Sequence, residues 1–144
     1  MTRLAYLTLL CATLFAAQAR ADEDAPEADY QAVRAIYKAR RYEEAAHAAE
    51  ALVARHPGCA RCAHLLGKSY GRLAQRANWL AAMDLAKKTC ASFERAVALD
   101  PENDGALEDL IRYYRAAPGF LGGGADKAEV MEKRLAALKE KQGE

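Results

Sequence analysis

Cys59 and Cys62 sit three residues apart in the stretch "CARCAH", with His56 before them and His64 after. Two sulfurs at the start of a helix have the local physics of a thiol–disulfide oxidoreductase, because the helix dipole lowers a thiol's pKa there. Such enzymes set the pair in a βαβ unit, a pattern this chain lacks. Haem attachment needs histidine directly after the second cysteine, and Ala63 is there instead. Zinc could recruit His56, Cys59, Cys62 and His64, but the spacing departs from the paired zinc motifs, and Cys62 and His64 point apart on a helix. A structural disulfide or buried thiols is the favoured reading, with no metal or other cofactor. Cys90 is expected to be a small buried apolar residue or a partner for Cys62.

The other reactive side chains do not assemble into a mechanism. His47, His56 and His64 have no serine or carboxylate partner in a recognisable arrangement, and the carboxylates are spread along solvent faces. No enzymatic activity is expected. The run "APGFLGGGADKA" (117–128) is a loop, since each glycine in a helix costs about 1 kcal/mol relative to alanine. Its amides could cradle an anion ahead of a helix, with Phe120, Gly122, Gly123 and Gly124 as the site. The lysine and hydroxyl of a phosphate-binding loop are missing, however, and a structural turn is favoured.

These groups must be carried by one small domain. The chain has 144 residues, 52% hydrophobic and 28% charged, enough for a core of modest depth. Its start reads as an export signal: a basic "MTR", then an apolar run too short and too early for a transmembrane span, then small residues at Ala17, Ala19 and Ala21. Residues 1–21 are expected to be removed by cleavage after Ala19 or Ala21, leaving no membrane span in the mature chain. In a Gram-negative bacterium the destination is the periplasm. The signal holds two of the 21 Lys+Arg and none of the 20 Asp+Glu, so the mature charge is near −1, without the basic field that nucleic acid requires. Residues 22–27 read as a flexible acidic lead-in.

Helical periodicity occupies the rest, and it repeats. Pro57 and Pro101 each follow an apolar-periodic segment, and the 44 residues between them also separate Val53 from Val97, Leu66 from Leu110 and Tyr70 from Tyr114. A second spacing of 34 relates Ile36 to Tyr70, Val33 to Gly67 and Arg34 to Lys68. The two reconcile if the second unit carries ten additional residues, "AQRANWLAAM" (74–83), between its helices. A long helix is predicted from Asn78 as N-cap to Leu99, overhanging its partner by two or three turns. Trp79 would close the core of this extension or wall a groove.

Leu66-Gly67 with Tyr70, Ala45 with Leu52 and Pro57, and Phe93 with Ala96 and Pro101 resemble the tetratricopeptide repeat family, whose period is 34. The resemblance covers about residues 26–140. It implies an all-α fold of antiparallel helix pairs, stacked as a short right-handed solenoid of about three repeats (28–57, 60–101 and 104–140) in a domain spanning 28–141. The glycine loop is similar to one in a group of exported bacterial repeat proteins. Thr89 stands where alanine is usual, the third unit has no terminal proline, and the aromatic near the start of each first helix is replaced by Asp29, Ala63 and Leu107.

In that family the first helix of each pair lines the concave surface. The resemblance and the helical spacing together assign to it Tyr30, Arg34, Tyr37 and Lys38, then His64, Lys68 and Arg72, then Arg112 and Arg115. Six cations on one face of a near-neutral chain focus a positive field. An acidic peptide or a chain-terminal carboxylate fits it. The function expected is an exported, non-enzymatic protein–protein interaction module. The alternatives are a thiol-active protein using Cys59 and Cys62, and a small-ligand binder using the glycine loop and Trp79.

Overall fold

The computed structural model describes residues 24–143, so the expected signal segment, 1–21, lies outside the described residues. Among the described residues the protein is all-helical and has no strand. The α-helices are α1 (Glu27–Lys38), α2 (Tyr42–Arg55), α3 (Ala60–Ala74), α4 (Trp79–Leu99), α5 (Asp104–Ala116) and α6 (Ala125–Gln142), with a 3-10 turn at Gly119–Leu121. No described helix is long and apolar enough to cross a membrane.

Local chemistry sets the boundaries. The Asn78 side chain accepts a hydrogen bond from the Ala81 amide at 3.1 Å and opens α4, as the sequence predicts. Asn103 does the same for α5 through Ala106 at 3.0 Å. Each satisfies one of the amides a helix start leaves unpaired. Between α1 and α2 the chain reverses at Arg40, whose φ of 61° is left-handed.

Contacts within successive pairs run in opposite directions. Asp29 and Tyr37 of α1 meet Arg55 and Tyr42 of α2. Gly67 and Gly71 of α3 face Phe93 and Thr89 of α4. Glu108 and Arg115 of α5 reach Lys139 and Glu132 of α6. The 44-residue spacing has a physical counterpart as well. The Tyr70 hydroxyl donates to Glu50 on the helix before it, and the Tyr114 hydroxyl donates to Glu94 at 2.7 Å in the same manner.

Two apolar clusters form the interior. One joins Val33, Ala49, Leu52 and Leu65; the other joins Phe93, Ala96, Leu107, Leu110 and Leu138. Helix α3 serves both, sending Cys62 and Leu66 to the first and Ala63 to the second. At Gly67 α3 and α4 approach closely: a Cβ there would lie 2.6 Å from the Phe93 ring.

Of the expected lead-in, 22–27, residues 22 and 23 lie outside the described residues; Ala25 is buried against the first cluster and α1 begins at Glu27. Arg61 holds this stretch, donating to the Ala25 carbonyl at 2.6 Å and pairing with Asp24 and Glu27. Gly67 against Phe93 and Gly71 against Thr89 set the end of α3 opposite about Ala86 of α4, so residues 79–85 project beyond it by about 10 Å, or two turns, at 1.5 Å per residue. Trp79 closes no core there, being 74% exposed, because no described helix reaches past the end of α3 to cover it.

Candidate functional site

Helices α1, α3 and α5 present a continuous groove. A hollow of about 140 Å³ is lined by Tyr30, Arg34, Tyr37, Lys38, His64, Leu65 and Lys68. A second, of about 310 Å³, is lined by Tyr37, Lys68, Gly71, Arg72, Gln75, Thr89, Phe93, Asp109, Arg112, Tyr113 and Ala116. Tyr37 and Lys68 border both, so the hollows adjoin. Eight of the nine side chains assigned from the sequence thus lie along one groove.

Arg115 is the ninth and lines neither hollow. Its guanidinium makes a forked contact with the Glu132 carboxylate on α6, at 2.7 to 3.0 Å. The repeat spacing explains this. Arg115 stands 44 residues after Gly71, which faces the second helix of its own pair, and Arg115 likewise faces α6.

Outside the groove the described cations divide evenly: Arg41, Arg55, Arg61, Lys88, Arg115, Lys133 and Lys139 each pair with a carboxylate, while Arg40, Arg76, Lys87, Arg95, Lys127, Arg134 and Lys141 do not. Among the described residues, Arg34, Lys38, Lys68 and Arg72 make no such pair. Arg34 and Arg72 donate only to the neutral amides of Gln31 (3.3 Å) and Gln75 (3.2 Å). Lys68 lies over the face of the Tyr37 ring, 5.6 Å from its centre. The Tyr37 hydroxyl also pushes the Arg72 pKa up.

Asp109 is the member that sequence reasoning missed. His64 was expected to have no carboxylate partner, yet its Nε2 lies 2.7 Å from Asp109, and Arg112 donates to the other carboxylate oxygen at 3.0 Å. Burial alone would raise the Asp109 pKa. The His64 hydrogen bond, with the charges of His64, Lys68 and Arg112, outweighs it and holds the carboxyl below its ordinary range. A signal was present: Asp109 falls 44 residues after Leu65, a buried apolar position, and a charge at such a place calls for a partner.

Cys59 and Cys62 form a disulfide, 1% and 0% exposed, and the Cys59 sulfur caps α3 by accepting from the Cys62 amide at 3.2 Å. No sulfur of the pair is open to an exchange partner. The Asp24 carboxylate comes within 4.8 Å of both, but sulfurs bonded to each other are not the thiolates a metal requires, and His64 is engaged by Asp109. Cys90 pairs with neither, lying buried with its thiol 3.6 Å from Glu94. Burial, then the Glu94 charge, pushes its pKa up to about 11.

The glycine loop spends its amides internally. Those of Leu121 and Gly123 donate to Pro118, that of Gly122 to Gly119 and that of Gly124 to Tyr114. Gly122 adopts a φ of 90°, and a Cβ on Gly123 would lie 1.7 Å from the Ala117 carbonyl oxygen. The glycines therefore serve a tight turn, with no donor left among Gly122, Gly123 and Gly124 for an anion, while Phe120 stays exposed. A scan against protein-family models and a search of curated proteins both return no match for this chain.

Proposed function

We propose that this chain is a non-enzymatic interaction module of the tetratricopeptide type, its three helix pairs stacked as a short right-handed solenoid. In this reading the first helices of the pairs bind an acidic peptide or a chain-terminal carboxylate, and the protein works after export. The observation that carries the proposal is the convergence of four cations on two adjoining hollows. Arg34, Lys38, Lys68 and Arg72 line the groove without a described carboxylate partner within ion-pair distance. Uncompensated cations in a walled groove attract an anion from outside. The repeated Tyr70–Glu50 and Tyr114–Glu94 contacts support the repeat architecture.

Fluorescence anisotropy with a labelled acidic peptide tests this. Each rim contact is worth about 1 kcal/mol near 4 Å in water, so reversing three charges in Arg34→Glu/Lys68→Glu/Arg72→Glu should weaken binding at least about tenfold. None of the three holds the fold through an ion pair, so helical circular dichroism should be unchanged. Equal binding by the triple variant, or equal binding of a basic peptide to the wild type, would refute the reading.

A further inference from the structure

The larger hollow has a floor unlike its rim. Its base is the buried ring of Phe93, the Thr89 side chain and the half-buried Tyr113, while Lys68 and Arg72 stand at its edge. Its 310 Å³ is at the small end of the about 300–1,000 Å³ that ligand pockets occupy, room for one side chain and little more. Asp109 on its wall is already hydrogen-bonded to His64 and Arg112.

Gly71 makes the space, and packing does not require it. A Cβ at Gly71 would lie 3.5 Å from the Thr89 Cγ2 and 3.8 Å from its Oγ1, ordinary van der Waals contact. One turn earlier, Gly67 has the Phe93 ring at 2.6 Å and no freedom. Gly71 lies within α3 and its φ is not positive, so the backbone does not require glycine either. Glycine in a helix interior costs about 1 kcal/mol relative to alanine. What the missing side chain provides is depth beside two free cations.

We infer that this hollow is a side-chain pocket for the last residue of a peptide ending in an aromatic or aliphatic side chain. The free α-carboxylate would meet Lys68 and Arg72 at the rim, and Gly71 would set the size accepted. Upstream acidic residues continue past Lys68 toward Arg34 and Lys38 in the smaller hollow. The inference rests on the proposed acidic-peptide groove and adds the identity of the terminal residue.

The test uses the full chain and three N-terminally labelled peptides with one acidic body, ending in Phe, in Gly and in Phe-amide. Wild type should bind the Phe peptide at least tenfold more tightly than the other two. Gly71→Leu fills the hollow and should erase the preference for Phe over Gly while still binding the Gly peptide; Gly71→Ala should reduce it. Arg34→Glu/Lys68→Glu/Arg72→Glu should lose all three peptides. If wild type binds the Phe and Gly peptides equally, the pocket inference falls and the acidic groove stands. If Gly71→Leu folds and keeps the Phe preference, the pocket lies elsewhere and the inference also falls. If wild type binds none of the three, both readings fall.

Discussion

Replacing Gly67 with alanine places one methyl carbon where the structure leaves no room for it. The new Cβ would lie 2.6 and 2.7 Å from two carbons of the Phe93 ring and 3.1 Å from the Ser92 Cβ. Non-bonded carbons settle at about 3.5–4.0 Å, so helix or ring must yield by about 1 Å. Phe93 is 6% exposed and belongs to the second cluster, so the ring can yield only toward the hollow it floors. Overpacking of this kind costs about 1–3 kcal/mol. The gain in helix propensity, about 1 kcal/mol, offsets part of it. The balance is a loss of about 0–2 kcal/mol for Gly67→Ala, toward the upper end because two ring carbons are met at once. Gly71→Ala meets only ordinary contacts and should gain about 0.5–1 kcal/mol. Two identical substitutions one turn apart on α3 therefore move stability in opposite directions. Urea denaturation followed by circular dichroism at 222 nm, a signal of about the whole helical content, reads both. Phe93→Leu removes the ring atoms in conflict, so in that background the Gly67→Ala penalty should disappear, a coupling a double-mutant cycle isolates. Wild-type stability in Gly67→Ala, or a penalty that persists with Phe93→Leu, would show that α3 and α4 are not packed through this contact.

Other outcomes follow from the same coordinates. Reducing the Cys59–Cys62 disulfide releases a very short loop, for which chain entropy gives a loss of about 2 kcal/mol, measurable as a lower urea midpoint with reductant present. Cys90, with its thiol pKa raised to about 11, should resist iodoacetamide at pH 8 in the folded protein and react once it is unfolded, as peptide mass mapping would show. The Asp109 pKa is lower in the folded chain than its ordinary 3.8, so its stabilisation is present above that value and is lost as pH falls through the folded one. Asp109→Asn should accordingly flatten the stability profile below about pH 4, read from urea midpoints across pH. Tyr70→Phe and Tyr114→Phe each remove one hydroxyl bond to glutamate and should cost about 1 kcal/mol, with nearly additive effects in the double variant.

The features legible in the sequence were those with a period or a local rule behind them. Asn78 announces a helix because its amide side chain caps one, and the 44-residue echo of Leu66 and Tyr70 in Leu110 and Tyr114 places buried residues in equivalent helices. Period also gathers Arg34, Lys38, Lys68 and Arg72 on one side. It does not say what each meets across a gap. Arg115 falls one position short of the row through Arg72, and Glu132 takes it, while His64 finds Asp109 45 residues away. Both pairings depend on how two helices are set against each other, a relation no single helix encodes. Trp79 shows the opposite error: a large apolar residue at helical spacing invites burial, but the helix it would pack on has already ended.

That bare indole has a practical meaning for anyone working with the purified protein. Trp79 is the chain's one tryptophan and is already 74% exposed in the native state. Its emission should look solvated before and after melting, so intrinsic fluorescence would be nearly blind to unfolding. It would instead brighten or shift when another surface presses against the tip of α4, making it a built-in reporter of docking at that end and a silent bystander to events in the groove.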